Sequence, residues 1–238
     1  MLTDQTAEGE PLSERDEPSG AGAPYPILPR GPDHRPAIKG WRYLSRSVLY
    51  PLMRWRARRI GRRLGPLFTR GERVLDVGTG DGLVARAIAR VGSCSITGID
   101  TVDYGDIGFP CLTYVGGRMP FQDESYDTVM ALFSLHHSGD AEFSLGECRR
   151  VAAKRLIVVE EVFQNRLEEL FTKGEDWVTN RLLSGEVHIP FQFKSLSRWR
   201  ELFDRLGLDL ELQRRFFPLP FIPLRTVLFV LRKRPGDR

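Results

Sequence analysis

VLDVGTGDG, residues 74–82, runs an apolar strand into a glycine turn and out into a helix. Gly78 and Gly80 lack side chains, so the backbone there can turn sharply and come close to a ligand. In open α/β sheets such turns lie at the carboxyl ends of the strands, where ligands bind. The spacing is Asp-x-Gly-x-Gly-x-Gly, from Asp76 to Gly82. It departs from the G-x-G-x-x-G of dinucleotide sites. A third glycine one residue early, and an acid two residues before the first, argue against a pyrophosphate. The next strand, Ser95–Asp100, ends in the acid Asp100. An acid at that place can accept hydrogen bonds from both hydroxyls of a ribose.

Working outward, the pattern alternates between strands and helices. Arg73–Val77, Ser95–Asp100, Leu112–Val115, Tyr126–Leu132 and Arg155–Glu160 read as strands. Leu208–Arg214 and Thr226–Arg232 are two more. Gly82–Val91 and Ala141–Ala152 read as helices. Trp199, Leu202, Phe203 and Leu206 fall at i, i+3, i+4 and i+7, which makes an amphipathic helix with Ser195 as N-cap and Gly207 as stop. A further helical stretch runs from about Asn165 to Leu183. Alternating elements predict an α/β fold with a mostly parallel sheet.

The amino-terminal third is different. Residues 1–36 are rich in Gly, Pro, Ser and charge, with no apolar period, and read as a disordered acidic tail of seven acids and three bases. From Lys39 to Arg70 there are ten bases and no acid. That segment, 37–70, reads as helical, with two helices or a break at Pro51. Leu44, Val48 and Leu49 would face inward on the first, and Leu52, Trp55, Ile60 and Leu64 on the second. The remainder, 71–238, forms the main domain, with an insertion at about 163–194 before the last helix.

Three cysteines, Cys94, Cys111 and Cys148, show neither a disulfide framework nor a metal-ligand spacing. No metal is expected. The polar N-terminus does not read as a secretory signal, and no run of about 18 apolar residues suggests a membrane span. A cytoplasmic protein, with the option of peripheral membrane contact, is expected.

The chain resembles the class I methyltransferases of the type 11 group, which includes enzymes of ubiquinone and menaquinone biosynthesis. The resemblance covers about Gly71 to Lys233. VLDVGTGDG matches the first motif of that group and Gly98-Ile99-Asp100 the second. RMPFQDESYDTVMALFSLHH (118–137) and ECRRVAAKRLIVVEE (147–161) resemble its fourth-strand and fifth-strand segments. The short link after Asp100, the segment DWVTN (176–180) and the closing FKSLSRWRELFDRLGLDLE resemble a poorly characterised bacterial branch. The resemblance implies a Rossmann-like, seven-stranded sheet in the order 3-2-1-4-5-7-6, with the seventh strand antiparallel. It also implies the cofactor S-adenosyl-L-methionine (SAM), whose sulfonium and ammonium suit carboxylates better than a phosphate-binding helix end would.

Carried over by position, Asp76, Val77, Gly78, Thr79 and Gly80 hold the methionine part. Asp100 and Thr101 hold the ribose. Arg118 and Met119 pack on adenine, and Phe133 and Ser134 face the methionyl part and the acceptor. The acid that many members carry just after the third strand is missing here, where the chain reads Val115-Gly116-Gly117.

Methyl transfer from a sulfonium needs alignment more than activation, so no one residue type is demanded. His137, with His136 second, is the candidate general base. Alternatively, the pair only caps the strand and shapes the pocket. Glu160 and Glu161 end the fifth strand at the same edge and either touch the acceptor or pair with an arginine. Trp177, Asn180, His188 and Gln192 lie in the insertion, as acceptor contacts or as packing.

The basic segment either meets an anionic surface or is a solvated helix over the mouth of the site. The apolar loop FFPLPFIPL (216–224) packs on that segment or joins it on a membrane or a hydrophobic substrate. A small-molecule or lipid-like acceptor is expected, and a nucleic acid is not. The competing reading is a non-catalytic SAM-binding or degenerate module of the same fold.

Overall fold

A computed structural model of the chain describes residues 41–114, 116–163, 168, 174, 193–219 and 225–234, with side chains described from Tyr50 onward. Seven strands lie in one sheet. In chain order they are β1 (Arg73–Val77), β2 (Ser95–Asp100), β3 (Cys111–Thr113), β4 (Tyr126–Leu132), β5 (Ala152–Phe163), β7 (Leu208–Phe216) and β8 (Thr226–Lys233). A two-residue strand, β6 (Lys194–Ser195), pairs in parallel with the end of β5 at Val162 and Phe163.

The sheet order is β3-β2-β1-β4-β5-β8-β7. Pairing is parallel from β3 to β5, and β8 runs antiparallel to both β5 and β7. With β6 set aside, this is the 3-2-1-4-5-7-6 order expected. The strand count of seven therefore needs one addition, because β6 is too short to carry a sequence period. Strands β3, β5 and β7 also end elsewhere than expected. β5 gains three residues at each end because Ala152 pairs with Tyr126 and Glu161 with Thr226.

Helices cover both faces. On one lie α1 (Trp41–Leu64) and α2 (Leu83–Gly92); on the other lie α3 (Ala141–Val151) and α4 (Leu196–Arg205). Successive strand residues point to opposite faces. Thus Val74 joins Ile60, Leu64 and Ile88 under the first pair. Leu75 and Val77 join Leu145, Trp199 and Phe203 under the second. Asp140 caps α3 by accepting the Phe143 N–H at 2.9 Å, and Ser195 caps α4. Such a cap contributes about 1 kcal/mol. Gly207, at φ 60°, lets the chain leave α4 for β7.

Helix α1 corrects the expectation at Pro51. It runs unbroken through the proline. A proline deletes one helical N–H and crowds the preceding turn. Here the proline ring lies on the exposed side of the helix. The inward face also differs. Ala57, Ile60, Gly61 and Leu64 are buried, whereas Trp55 is 38% exposed and Leu52 half-buried. Gly61 permits the close approach to α2, because a Cβ there would stand 2.7 Å from that of Ala87. The predicted helix 165–183 falls outside the described residues apart from Glu168 and Gly174, both helical.

Candidate functional site

The carboxyl ends of β1, β2, β4 and β5 form one edge, and the residues named from the sequence at the ends of these four strands lie there. After β1, Gly78, Gly80 and Gly82 all take positive φ, at 73°, 55° and 70°. The two middle glycines face different surroundings. A Cβ at Gly78 would overlap the Ser134 side chain, whereas one at Gly80 would meet nothing within 4 Å. Gly78 thus serves the packing of the turn on β4, and Gly80 leaves space open for a ligand.

Two carboxylates frame that space. Asp76 is 3% exposed and accepts the Thr79 hydroxyl at 2.6 Å. Burial, with a further push from the Asp100 charge and against the Thr79 hydrogen bond, lifts its carboxyl to about 7. Asp100 uses both oxygens on backbone: Oδ2 accepts Gly80 N–H at 2.8 Å and Oδ1 accepts Val102 N–H at 3.0 Å. Each oxygen keeps a second lone pair for a ligand hydroxyl. Among the described residues neither carboxylate has an ion-pair partner. The edge is therefore negative. Cys111, at the start of β3 beside β2, registers the same field: burial first, then Asp100 and Asp76, pushes its thiol up to about 12.

A second cluster sits at the ends of β4 and β5. Glu160 is fully buried. Its Oε1 accepts the N–H groups of Ser134 and Leu135 at 3.2 and 2.8 Å, and its Oε2 lies 2.6 Å from His136 Nδ1. The Ser134 hydroxyl donates to the Val77 carbonyl at 2.8 Å. One carboxylate thereby joins β5 to the turn after β4, and the serine joins that turn to β1. Phe133 bends the chain at this point, with φ 57° in a non-glycine residue. Its N–H reaches the Val159 carbonyl at 2.8 Å, and the Arg56 guanidinium of α1 lies 4.3 Å over its ring.

His136 is 2% exposed, stacked on Phe193 at 4.5 Å and beside His137 at 4.0 Å. His137 is half-buried. Within the pair, His137 is the one nearer to open space.

The family described as "Methyltransferase domain" (type 11) matches residues 75–158, from within β1 to within β5. Residues 75–158 carry a methyltransferase domain of that type. Demethylmenaquinone methyltransferase of Thermotoga maritima is 30% identical over 135 residues, 49% of this chain and 58% of the relative. Its counterpart in Tropheryma whipplei strain Twist is 35% identical over 103 residues, 39% of this chain and 43% of the relative. The chain thus spans about half the length of these curated relatives.

Among solved structures, a SAM-dependent methyltransferase of Thermotoga maritima superposes with a TM-score of 0.55 at 18% identity, covering 82% of this chain and 100% of its own. A chain from the complex of the Haloferax volcanii Trm112 methyltransferase activator gives 0.60 at 19%, covering 82% and 96%. At such identities these two share the fold.

SAM is the cofactor of this family, and the residues of the methyltransferase domain fit it. A buried carboxylate without a cationic partner suits the ammonium and sulfonium. The free lone pairs of Asp100 suit a diol, and the Gly80 turn leaves room between them. Val77 and Thr79 are buried in support of the turn, and Thr101 is exposed just beyond Asp100.

Around the loop after β3, Arg118 is exposed and 3.9 Å from Asp123. Met119 is 2% exposed, so its side chain is core rather than surface. Its N–H donates to Glu147 at 2.7 Å, and its carbonyl accepts from Arg150 at 3.0 Å.

That Glu147–Arg150 pair is one part of the arrangement that sequence reading missed. Arg150 also holds the Phe121 carbonyl at 2.7 Å and Asp123 at 2.8 Å, so it staples loop 118–123 onto α3. The only signal was an i, i+3 acid–base pair on a helix, which is too common to single out.

Among the described contacts Glu160 grips a turn and a histidine rather than an arginine. Glu161, on the opposite face of β5, is also buried. Trp177, Asn180, His188 and Gln192 lie outside the described residues.

Proposed function

We propose that the protein transfers a methyl group from SAM to a small-molecule or lipid-like acceptor. The observation that carries this reading is the pair Asp76 and Asp100, two carboxylates without ion pairs flanking the open turn at Gly80. Bound SAM supplies an already activated methyl on a sulfonium. The protein's contribution is then alignment, which can account for about 7–11 kcal/mol of such a barrier.

Asp76 offers charge to the cationic end of the cofactor. Asp100 orients the ribose and, through the Gly80 N–H, locks the turn in its binding shape. Phe133 and Ser134 form the floor on the acceptor side. His137 accepts the proton of an acceptor hydroxyl or amine. His136, held by Glu160 and stacked on Phe193, fixes the ring beside it. The curated relatives named for demethylmenaquinone support a small-molecule acceptor, and the apolar, aromatic sequence of residues 216–224 supports a lipid-like one.

The test is incubation of the full chain with methyl-labelled SAM and separated lipid, small-molecule and RNA fractions of a bacterial extract. Label entering the lipid or small-molecule fraction, with matching S-adenosylhomocysteine, is the expected result. Label confined to RNA would overturn the acceptor class. SAM binding with no transfer to any fraction would point to a binding module instead.

A further inference from the structure

Helix α1 has two faces with different surroundings. Ala57, Ile60, Gly61 and Leu64 are buried against α2 and the sheet. Pro51, Arg54, Trp55, Arg58 and Arg62, at i, i+3, i+4, i+7 and i+11, form an exposed stripe on the other side. Tyr50, 44% exposed, adjoins the stripe at Arg54, and Trp55 within it is 38% exposed. Phe217, 50% exposed, adjoins it through its carbonyl, 3.5 Å from the Arg59 guanidinium. The helix carries no acid anywhere along its length.

We infer that this stripe docks on an anionic lipid bilayer, with Arg54, Arg58 and Arg62 on headgroup phosphates and Tyr50, Trp55 and Phe217 at the acyl boundary. Its composition is complementary to that surface in two ways. Arginine without neighbouring acid meets negative headgroups, and half-exposed aromatic rings gain from the interface while their polar edges stay wet. Arginine stems cover apolar surface as their heads reach phosphate. Arg54 over Tyr50 at 5.9 Å and Arg59 over Trp55 at 5.0 Å show charge and ring already sharing one surface.

A nucleic acid fits less well. Its phosphates would satisfy the arginines, but unpaired bases are held by stacking in a groove, and this stripe is the convex side of a helix.

The inference deepens the proposed function, and it rests on that reading only for its purpose. Arg56, on the same helix, lies over Phe133 at the mouth of the site. Helix α1 therefore carries both the docking stripe and a contact with the acceptor side of the domain.

The experiment is sedimentation of the full chain with vesicles of phosphatidylcholine alone or mixed with phosphatidylglycerol. Binding to the mixed vesicles, weakened by salt, is expected. The triple variant Arg54→Glu, Arg58→Glu, Arg62→Glu should lose at least about 100-fold in affinity while keeping wild-type affinity for SAM. Trp55→Ala should bind more weakly than wild type, and its remaining binding should be more sensitive to salt. Equal binding to both vesicles, undiminished binding by the triple variant, or displacement from vesicles by RNA would overturn the inference. Vesicle binding without methyl transfer to any lipid would leave the surface standing and remove only the lipid-like acceptor.

Discussion

The backbone N–H of Gly80 donates to Asp100 Oδ2 at 2.8 Å, across twenty residues of sequence. This bond makes the glycine turn after β1 and the acid ending β2 a single unit, so the proposed cofactor site is held in shape by one of its own proposed binding groups.

The two middle glycines of that turn should therefore fail differently. Gly78→Ala meets the Ser134 side chain and a positive φ, and should cost about 2–4 kcal/mol of stability. Gly80→Ala has open space around the new Cβ and only the backbone strain, about 1–2 kcal/mol. Its damage should fall on SAM affinity. Thermal unfolding and calorimetric titration of both variants check the contrast.

Asp76 makes stability and binding oppose each other. Its carboxyl is raised from 3.8 to about 7. A raised acid binds its proton more tightly in the folded state, so the ligand-free protein loses stability as pH climbs from about 4 to 7. The full cost above that window is about 4 kcal/mol. Asp76→Asn should accordingly raise the Tm of ligand-free protein at pH 8, with the gain shrinking toward zero as pH falls through 3.8. SAM affinity of the wild type should strengthen from pH 6 to pH 8 as the carboxylate forms, and the variant should lose most of its affinity at both.

Glu160 holds two backbone N–H groups and His136 from a fully buried position. Glu160→Ala should destabilise by about 3–5 kcal/mol, because three buried groups lose their acceptor. Glu160→Gln keeps one oxygen and should cost less. The readout specific to positioning is the nitrogen NMR spectrum of His136. Its Nδ1 should carry the proton in the wild type and show a mixture of tautomers in Glu160→Gln.

Arg150 closes five hydrogen bonds around loop 118–123 and Glu147. Arg150→Met should speed amide exchange in that loop and weaken SAM binding several-fold, with loss of about 2–3 kcal/mol of stability. Unchanged exchange there would show that the loop is held by other contacts.

The sheet was readable because most of its central strands carry a short, largely apolar segment bounded by glycine or charge. Val74–Val77, Ile96–Ile99 and Leu156–Val159 are the examples. The cofactor edge was readable because Asp76, Gly78, Gly80 and Asp100 sit at strand ends with fixed spacing. What escaped was whatever depends on partners far along the chain. Glu160 is linked to His136 only in space. The inward face of α1 is set by Gly61 meeting Ala87 rather than by the largest apolar residues. The helix also carries Pro51 on its exposed side, which no local pattern could show.

The central claim is that Asp76 and Asp100 hold SAM across the Gly80 turn. Calorimetric titration of SAM into the wild type and Asp100→Ala tests it most directly. The account predicts binding by the wild type and at least about 100-fold weaker binding by the variant, since two charge-assisted contacts to the ligand and the lock on Gly80 are lost together. A folded wild type that does not bind SAM, or an Asp100→Ala variant that binds it as tightly as the wild type, would contradict it.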